Sequence, residues 1–194
     1  MGYKHNKENI LETGYHVLRK NGYHGVGINE ILKAAGIPKG SFYNFFDSKE
    51  DFTREVIAYH GLDQSQWIST FFEEAQGTPL NNLKSFYKKL IDINEMDEYS
   101  SGCLVNVMSN EVGRSSDVLA LEANQCFLGW ITIISYEIQK GQDLGEIRDD
   151  FSSLELAEYL HSGTYGAFAR MKVTRSRVYL DLWWEMSFRF IQKE

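Results

Sequence analysis

Apolar side chains recur at spacings of three and four residues along most of this chain, which is the period of an amphipathic α-helix. Glycine, proline and short polar runs interrupt the pattern, and no convincing alternation of apolar and polar residues favours a strand. The pattern therefore predicts an all-α fold of about nine helices. Their expected ranges are about 7–20, 28–35, 38–46, 49–71, 80–96, 103–112, 115–140, 153–172 and 176–192.

The second and third of these helices are short and lie close together. The second has an apolar stripe at positions 28, 31, 32 and 35, and Gly36 ends it, because glycine tolerates the left-handed cap beyond a helix. Pro38 fits the first position of the third helix, where its missing N–H costs nothing. Apolar residues at 42, 45 and 46 give the third helix a back that faces the core. A pair of this kind indicates a helix-turn-helix, whose second helix enters the DNA major groove.

The segment GIPKGSFYNFFDSKEDF resembles the DNA-binding signature of the TetR family of bacterial transcriptional repressors, and the match extends upstream through NGYHGVGINEI. The resemblance implies a helix-turn-helix head over residues 1–48, a helical sensor and dimerisation body over 49–194, and a homodimer that binds double-stranded operator DNA. The first turn of the second helix, the polar front of the third and the first turn of the fourth would contact DNA through Asn29, Lys39, Gly40, Ser41, Tyr43, Asn44 and Lys49. The family usually has Ser or Thr where Gly27 stands, so Asn29 is expected to replace that phosphate contact.

The charge distribution fits a head that faces DNA. The whole chain carries a net charge of −7. Residues 1–49 hold seven Lys/Arg and four Asp/Glu, a balance of +3, whereas the remainder holds 13 and 23, a balance of −10. Local charge governs attraction to phosphate, because salt screens interactions beyond roughly 8–10 Å. Lys4, His5 and Lys7 could also reach a phosphate or the minor groove.

The segment SGCLVNVMSNEVG resembles the matching stretch of a TetR subfamily that senses reactive electrophiles and is typified by the repressor of the N-ethylmaleimide reductase gene. That resemblance implies that Cys103 is the sensor. The residues support it, because Cys103 would stand at a helix N-terminus, where unpaired N–H groups favour a thiolate. Lys172 is the candidate basic neighbour. Cys126 lies among apolar residues in the middle of a helix and is expected to be inert.

Two other readings stay open. In one, the repressor responds to reversible binding of an apolar or aromatic ligand in a pocket lined by Phe86, Trp130, Tyr165 and Phe168. In the other, the chain is a helical enzyme or scaffold with a vestigial head. The sequence shows no Ser/His/Asp constellation, no Gly-rich phosphate loop and no grouping of His and Cys that favours a metal, so no enzyme activity and no cofactor are expected.

The final helix predicts a dimer interface. It carries Trp183, Trp184, Phe188 and Phe190, an aromatic load wider than one core stripe requires. In the family the last two helices pack against their copies as a four-helix bundle. The chain shows no signal peptide and no apolar run of roughly 18 residues, so a cytoplasmic protein without membrane contact is expected.

Overall fold

The computed structural model describes residues 6–96 and 102–194 and confirms the all-α prediction. Within these residues there are nine helices and no strand: α1 Lys7–Asn21, α2 Ile28–Ala35, α3 Lys39–Phe42, α4 Lys49–Glu74, α5 Pro79–Met96, α6 Leu104–Val112, α7 Asp117–Asp143, α8 Ser153–Thr174 and α9 Val178–Ile191. The expected loop at 97–102, including Ser100 and Ser101, lies mostly outside the described residues. The chain divides into two compact units, and the proposed boundary at residue 48 stays a prediction.

The first unit consists of the described residues up to Asp63 together with Cys103–Cys126. In it α1 packs against both α2 and α6, and α2 packs against α3. The core is apolar and includes Leu18, Ile31 and Phe52, each fully buried. α4 begins in this unit, where Ser48 caps it by accepting a hydrogen bond from the Asp51 amide at 3.0 Å.

The second unit consists of the described residues of Gln64–Gly102 together with Phe127–Glu194. Here α9 packs against α5 and α8. The start of α8 follows the sequence prediction: the Ser152 hydroxyl accepts from the Glu155 amide, and the Glu155 carboxylate accepts from the Ser152 amide, which satisfies two amides that lack helical partners. The core of this unit includes Ile91, Phe168, Met171 and Leu180.

Two sequence predictions about helix ends were wrong. Pro38 is the residue before α3 rather than its first residue, with an extended ψ of 154°, and regular helix stops at Phe42. The amides of Phe45 and Phe46 both bond the Phe42 carbonyl, so a turn replaces the expected last helical turn. α7 runs past Gly141 to Asp143, and the left-handed residue that ends the segment is Gly145 at φ 72°.

Candidate functional site

The front of α3 is open to solvent. Lys39, Gly40 and Asn44 are exposed, Tyr43 is 46% exposed and Ser41 is half-buried. The Lys39 ammonium lies 6.0 Å from the centre of the Tyr43 ring, so the cation and the phenol share one patch. Cations beside an aromatic ring and a small polar group are the side chains that contact phosphates and base edges. The structure thus brings these predicted DNA-contacting residues together on one surface.

The back of α3 is fixed by phenylalanines. Phe42 and Phe46 are buried, with exposed fractions of 0% and 1%. Their rings stand 5.5 and 5.0 Å from the ring of Phe52 in the first turn of α4. Aromatic pairs at these distances add to the stabilisation from burial alone. A helix of four residues is not stable by itself, so this aromatic packing is what holds its polar front in place.

Gly40 has no packing role inside the chain. Apart from its own helix and neighbours, no described atom lies within 4 Å of the position that a Cβ would occupy. The missing side chain therefore leaves a flat surface on α3, and a duplex backbone could approach it closely.

Asn29 is exposed in the first turn of α2, as a phosphate contact there requires. The preceding Gly27 caps α2 without a side-chain hydrogen bond. The Gly27 amide donates a hydrogen bond to the Glu30 carboxylate at 2.9 Å, so this amide already has a partner. The contact of Asn29 with a phosphate stays a prediction.

Lys49 contacts the head itself. Its ammonium donates to the Tyr23 carbonyl at 2.6 Å and lies 4.1 Å from the centre of the Tyr23 ring. Partial burial lowers its pKa, against the opposing effect of the Glu111 and Glu30 carboxylates. The first turn of α4 is therefore fixed to the turn that follows α1. A phosphate contact by Lys49 remains a prediction and would use its other two N–H groups.

Of the three basic residues near the N-terminus, the structure describes only Lys7. Lys7 pairs with Glu55 and lies 5.3 Å from the centre of the Phe46 ring, so its ammonium braces the head from outside. Lys4 and His5 lie outside the described residues.

Cys103 is the N-cap residue of α6, as the sequence predicts. Its backbone is extended, its carbonyl accepts the Val107 amide at 3.0 Å, and the residue is half-buried. Gly113 follows the helix at its other end. The first-turn amides beside this position lack helical partners, and the Cys103 side chain makes no capping hydrogen bond to them.

Lys172 lies near the end of α8, in the second unit. It approaches the backbone of Gly102 closely: a Cβ built on Gly102 would stand 2.9 Å from Lys172 Cε and 3.3 Å from its Nζ. Gly102 is the residue before Cys103 in the sequence. This approach motivates the role for Lys172 proposed below.

Cys126 is packed in the interior. Its Sγ lies 3.6 Å from the Ile57 carbonyl oxygen and fills the space beside Gly61. Burial raises the pKa of the Cys126 thiol to about 12, and the charge of Glu122 adds to the effect. These surroundings suit the inert role expected from the sequence.

The four residues predicted to line a ligand pocket fall into two groups. Trp130, Tyr165 and Phe168 belong to an aromatic cluster on α7 and α8, in which the Tyr165 ring lies 6.2 Å from that of Phe168. Phe86 instead packs with rings of α4 and α5, 5.1 Å from Phe72 and 5.4 Å from Trp67. The four residues therefore belong to two aromatic groups, and a pocket shared by all four stays a prediction.

The sequence reading missed His161, which completes the first of these clusters. Its Nε2 lies 2.9 Å from the Tyr165 hydroxyl, and its Nδ1 has no hydrogen-bond partner among the described residues. Burial lowers its pKa to about 4, so the ring is neutral. The spacing of four from Tyr165 was the signal available, since it places both side chains on one face of α8.

The described residues contain no group of His, Cys, Asp and Glu that could hold a metal ion. α7 is, by length and composition, apolar enough to span a membrane, which the search for a long apolar run overlooked. It nevertheless carries the buried Glu137, which accepts a hydrogen bond from Asn82 at 2.8 Å. One such helix is weak support for a membrane protein, and a core helix of a soluble bundle has the same composition.

Comparison with known proteins agrees with this geometry. Residues 10–56 match the model of bacterial regulatory proteins of the tetR family, and residues 79–186 match the tetracyclin repressor-like C-terminal domain. The repressor DhaR of Mycobacterium sp. (strain GP1) is 34% identical over 90% of this chain and 86% of its own. The repressor NemR of Escherichia coli K12 is 27% identical over 88% and 85%. These relatives are named as transcriptional regulators, a role that is not enzymatic.

Two solved structures share the fold over nearly the full chain. The regulatory protein TetR from Rhodobacter sphaeroides superimposes with a TM-score of 0.88 at 27% identity, over 95% of this chain and 97% of its own. The reduced form of E. coli NemR gives a TM-score of 0.86 at 26% identity, with 96% of each chain covered. The chain belongs to the TetR family of bacterial transcriptional regulators, with the helix-turn-helix head of that family at its N-terminus.

Proposed function

We propose that the protein is a dimeric, cytoplasmic repressor that binds a palindromic operator through the front of α3 and leaves it when Cys103 is modified. One observation supports the DNA-binding part: the front formed by Lys39, Tyr43 and Asn44 is exposed, while Phe42 and Phe46 on the opposite side are buried. Lys39, Tyr43 and Asn44 then meet base edges or phosphates, with Asn29 and Lys49 on the flanking backbone.

A dimer is proposed from the outer faces of α8 and α9. α9 exposes Val178, Leu182, Met186 and Phe190 at intervals of four residues. Phe188 is buried, and Trp184 is fixed by a bond from its indole to the Lys84 carbonyl, so the interface differs from the four aromatic residues expected. α8 adds the exposed Gly166, whose missing Cβ has open space around it. A small residue of this kind allows a second helix to approach closely. A dimer places two heads about one DNA turn apart, which matches the two half-sites of a palindrome.

Release is proposed to begin at Cys103. The thiolate adds to the electron-poor carbon of an α,β-unsaturated carbonyl compound; an S–C bond forms, and the electron pair of the broken C=C bond takes a proton from water. No group leaves and no oxidant is required. Lys172, whose ammonium approaches Gly102, supplies positive charge near the start of α6 and favours the thiolate. The added group cannot fit the original packing, so the modified state prefers a geometry that does not bind DNA.

A second candidate has its own supporting observation, the unpartnered Nδ1 of His161 inside the aromatic cluster. A reversible inducer with a flat apolar body and one polar group would pack against Trp130, Tyr165 and Phe168 and bond this nitrogen. An unpaired buried polar atom is costly, so a ligand that satisfies it gains affinity.

The test is release of the bound upstream DNA by N-ethylmaleimide, measured by fluorescence anisotropy. Wild type should lose DNA with the time course of Cys103 labelling, and Cys103→Ser should keep it. Cys126→Ala is the matched control and should behave as wild type. Release from Cys103→Ser at the wild-type rate would eliminate the covalent mechanism and leave the reversible inducer.

A further inference from the structure

The C-terminal end of α6 is bonded to the turn between α1 and α2. The Glu111 carboxylate accepts hydrogen bonds from the amides of Tyr23 at 2.7 Å and His24 at 3.2 Å. These residues are about 90 positions apart in the sequence but belong to the same compact unit. These two bonds are charge-assisted and form a polar link between α6 and the head.

The turn is shaped to receive this carboxylate. Gly22 has a φ of 73°, in the left-handed region that side chains disfavour. A Cβ at Gly22 would also stand 1.9 Å from Glu111 Oε1, which no real contact allows. The backbone angle therefore favours glycine here, and a side chain would displace the Glu111 carboxylate from its position. The fit indicates that the turn and the carboxylate are a built contact rather than a chance surface pairing.

A second charge holds the same turn from the other side. The Lys49 ammonium donates to the Tyr23 carbonyl, whereas Glu111 accepts from the Tyr23 amide. Tyr23 is thus bonded through both of its backbone polar groups, to an anion on α6 and to a cation on α4. Movement of α6 would remove the bond to the Tyr23 amide and leave the bond from Lys49 to the Tyr23 carbonyl.

We propose that Glu111 is the positioning residue through which α6 fixes the reading head, and that modification at Cys103 weakens DNA binding by drawing this carboxylate off the amides of Tyr23 and His24. The proposal rests on the proposed function. Cys103 and Glu111 stand at opposite ends of one short helix, about 12 Å apart at 1.5 Å per residue. A shift of about 1 Å directly away from the turn takes both bonds beyond hydrogen-bonding distance.

Three variants test the link. Glu111→Ala removes the acceptor, and Glu111→Gln keeps an acceptor but loses the charge. Asn110→Ala is the matched control. Asn110 precedes Glu111 in the same helix, and among the described residues its side chain bonds only Asn106. The measurements are hydrogen exchange at the amides of Tyr23 and His24 and the dissociation constant for upstream DNA, each before and after N-ethylmaleimide treatment.

The exchange measurement decides the link without DNA. In wild type, N-ethylmaleimide should speed exchange at both amides at least tenfold. In Glu111→Ala the amides should exchange at that faster rate from the start, with no further change on treatment, while Glu111→Gln should lie between and Asn110→Ala should match wild type. Amides that exchange in Glu111→Ala as slowly as in wild type would overturn the proposal.

The DNA measurement decides what the link controls. Glu111→Ala should bind DNA at least tenfold more weakly than wild type, and N-ethylmaleimide should weaken it less than twofold further. If Glu111 acted only by repelling phosphate, the Ala and Gln variants would both bind more tightly, which would overturn the proposal. If wild type binds no DNA, the proposed function fails, yet the exchange result still decides whether Glu111 joins α6 to the turn.

Discussion

His161 makes the stability of the second unit depend on pH. Its imidazole is buried between Trp130 and Tyr165, and its pKa is about 4 in the folded protein against 6.5 in an unfolded chain. Between these values the unfolded state binds more protons than the folded state, so stability rises with pH. The loss of folding stability caused by the buried His161 is therefore small above pH 6.5 and grows as the pH falls towards 4.

The size of the effect follows from the two pKa values. At pH 5 the unfolded imidazole is almost fully protonated and the folded one is almost fully neutral. Linkage then gives a loss of about 2 kcal/mol relative to pH 8, and the limit at lower pH is about 3 kcal/mol. A loss of 2 kcal/mol is a large fraction of the 5–15 kcal/mol that typically stabilises a domain.

The assay is urea unfolding at pH 8 and pH 5, followed by tryptophan fluorescence. All four tryptophans lie in the second unit, so the signal follows the unit that contains His161. His161→Phe keeps a planar ring and cannot titrate. The difference in unfolding free energy between the two pH values should be about 2 kcal/mol smaller in His161→Phe than in wild type.

The quantity compared is the change in unfolding free energy between pH 8 and pH 5. Contributions from groups that titrate equally in wild type and His161→Phe cancel in this comparison. His16→Gln, on the exposed side of α1, is the control for loss of a histidine elsewhere. An equal pH difference in wild type and His161→Phe would refute the reasoning, because it would mean that the buried ring is protonated as readily as a solvated one.

Three further predictions concern the proposed function. Gly40→Ala should leave the free energy of unfolding unchanged or raise it by up to about 1 kcal/mol, since the site has open space. The same variant should bind DNA at least about tenfold more weakly in an anisotropy titration. N-ethylmaleimide should label Cys126 roughly a hundredfold or more slowly in the native protein than in urea by mass spectrometry, because its pKa of about 12 leaves little thiolate; equal rates would contradict its burial. Leu182→Glu should yield monomers in analytical ultracentrifugation with an unchanged circular dichroism spectrum, since Leu182 is 55% exposed in the protomer and an unpaired charge is costly only in a desolvated interface.

The sequence was most informative where local spacing decides structure. The stripe of α2 and the phenylalanine back of α3 both depend on residues spaced three or four positions apart. Helix existence and the family followed from such short-range patterns. The position of Cys103 at the start of α6 was predicted for the same reason.

The misses depend on contacts that lie beyond the reach of helical spacing. Gly141 was expected to end α7, but the space of its missing side chain is filled by Ile147, and the helix continues. No spacing rule pairs Lys49 with the Tyr23 carbonyl or Glu111 with the amides of Tyr23 and His24, because these contacts exist only after the helices pack.

The central claim is that the exposed front of α3 contacts DNA bases and phosphates. The most direct measurement is a binding titration in which wild type or Tyr43→Ala is added to a duplex from the gene's own upstream region. Tyr43 is 46% exposed, so the variant should fold normally, as circular dichroism and the urea midpoint will check. We predict that wild type binds with a dissociation constant below about 10⁻⁷ M at physiological salt, that added salt weakens binding, and that Tyr43→Ala binds at least about tenfold more weakly. Wild-type binding no tighter to the upstream duplex than to a scrambled one, or full affinity in Tyr43→Ala, would contradict the claim.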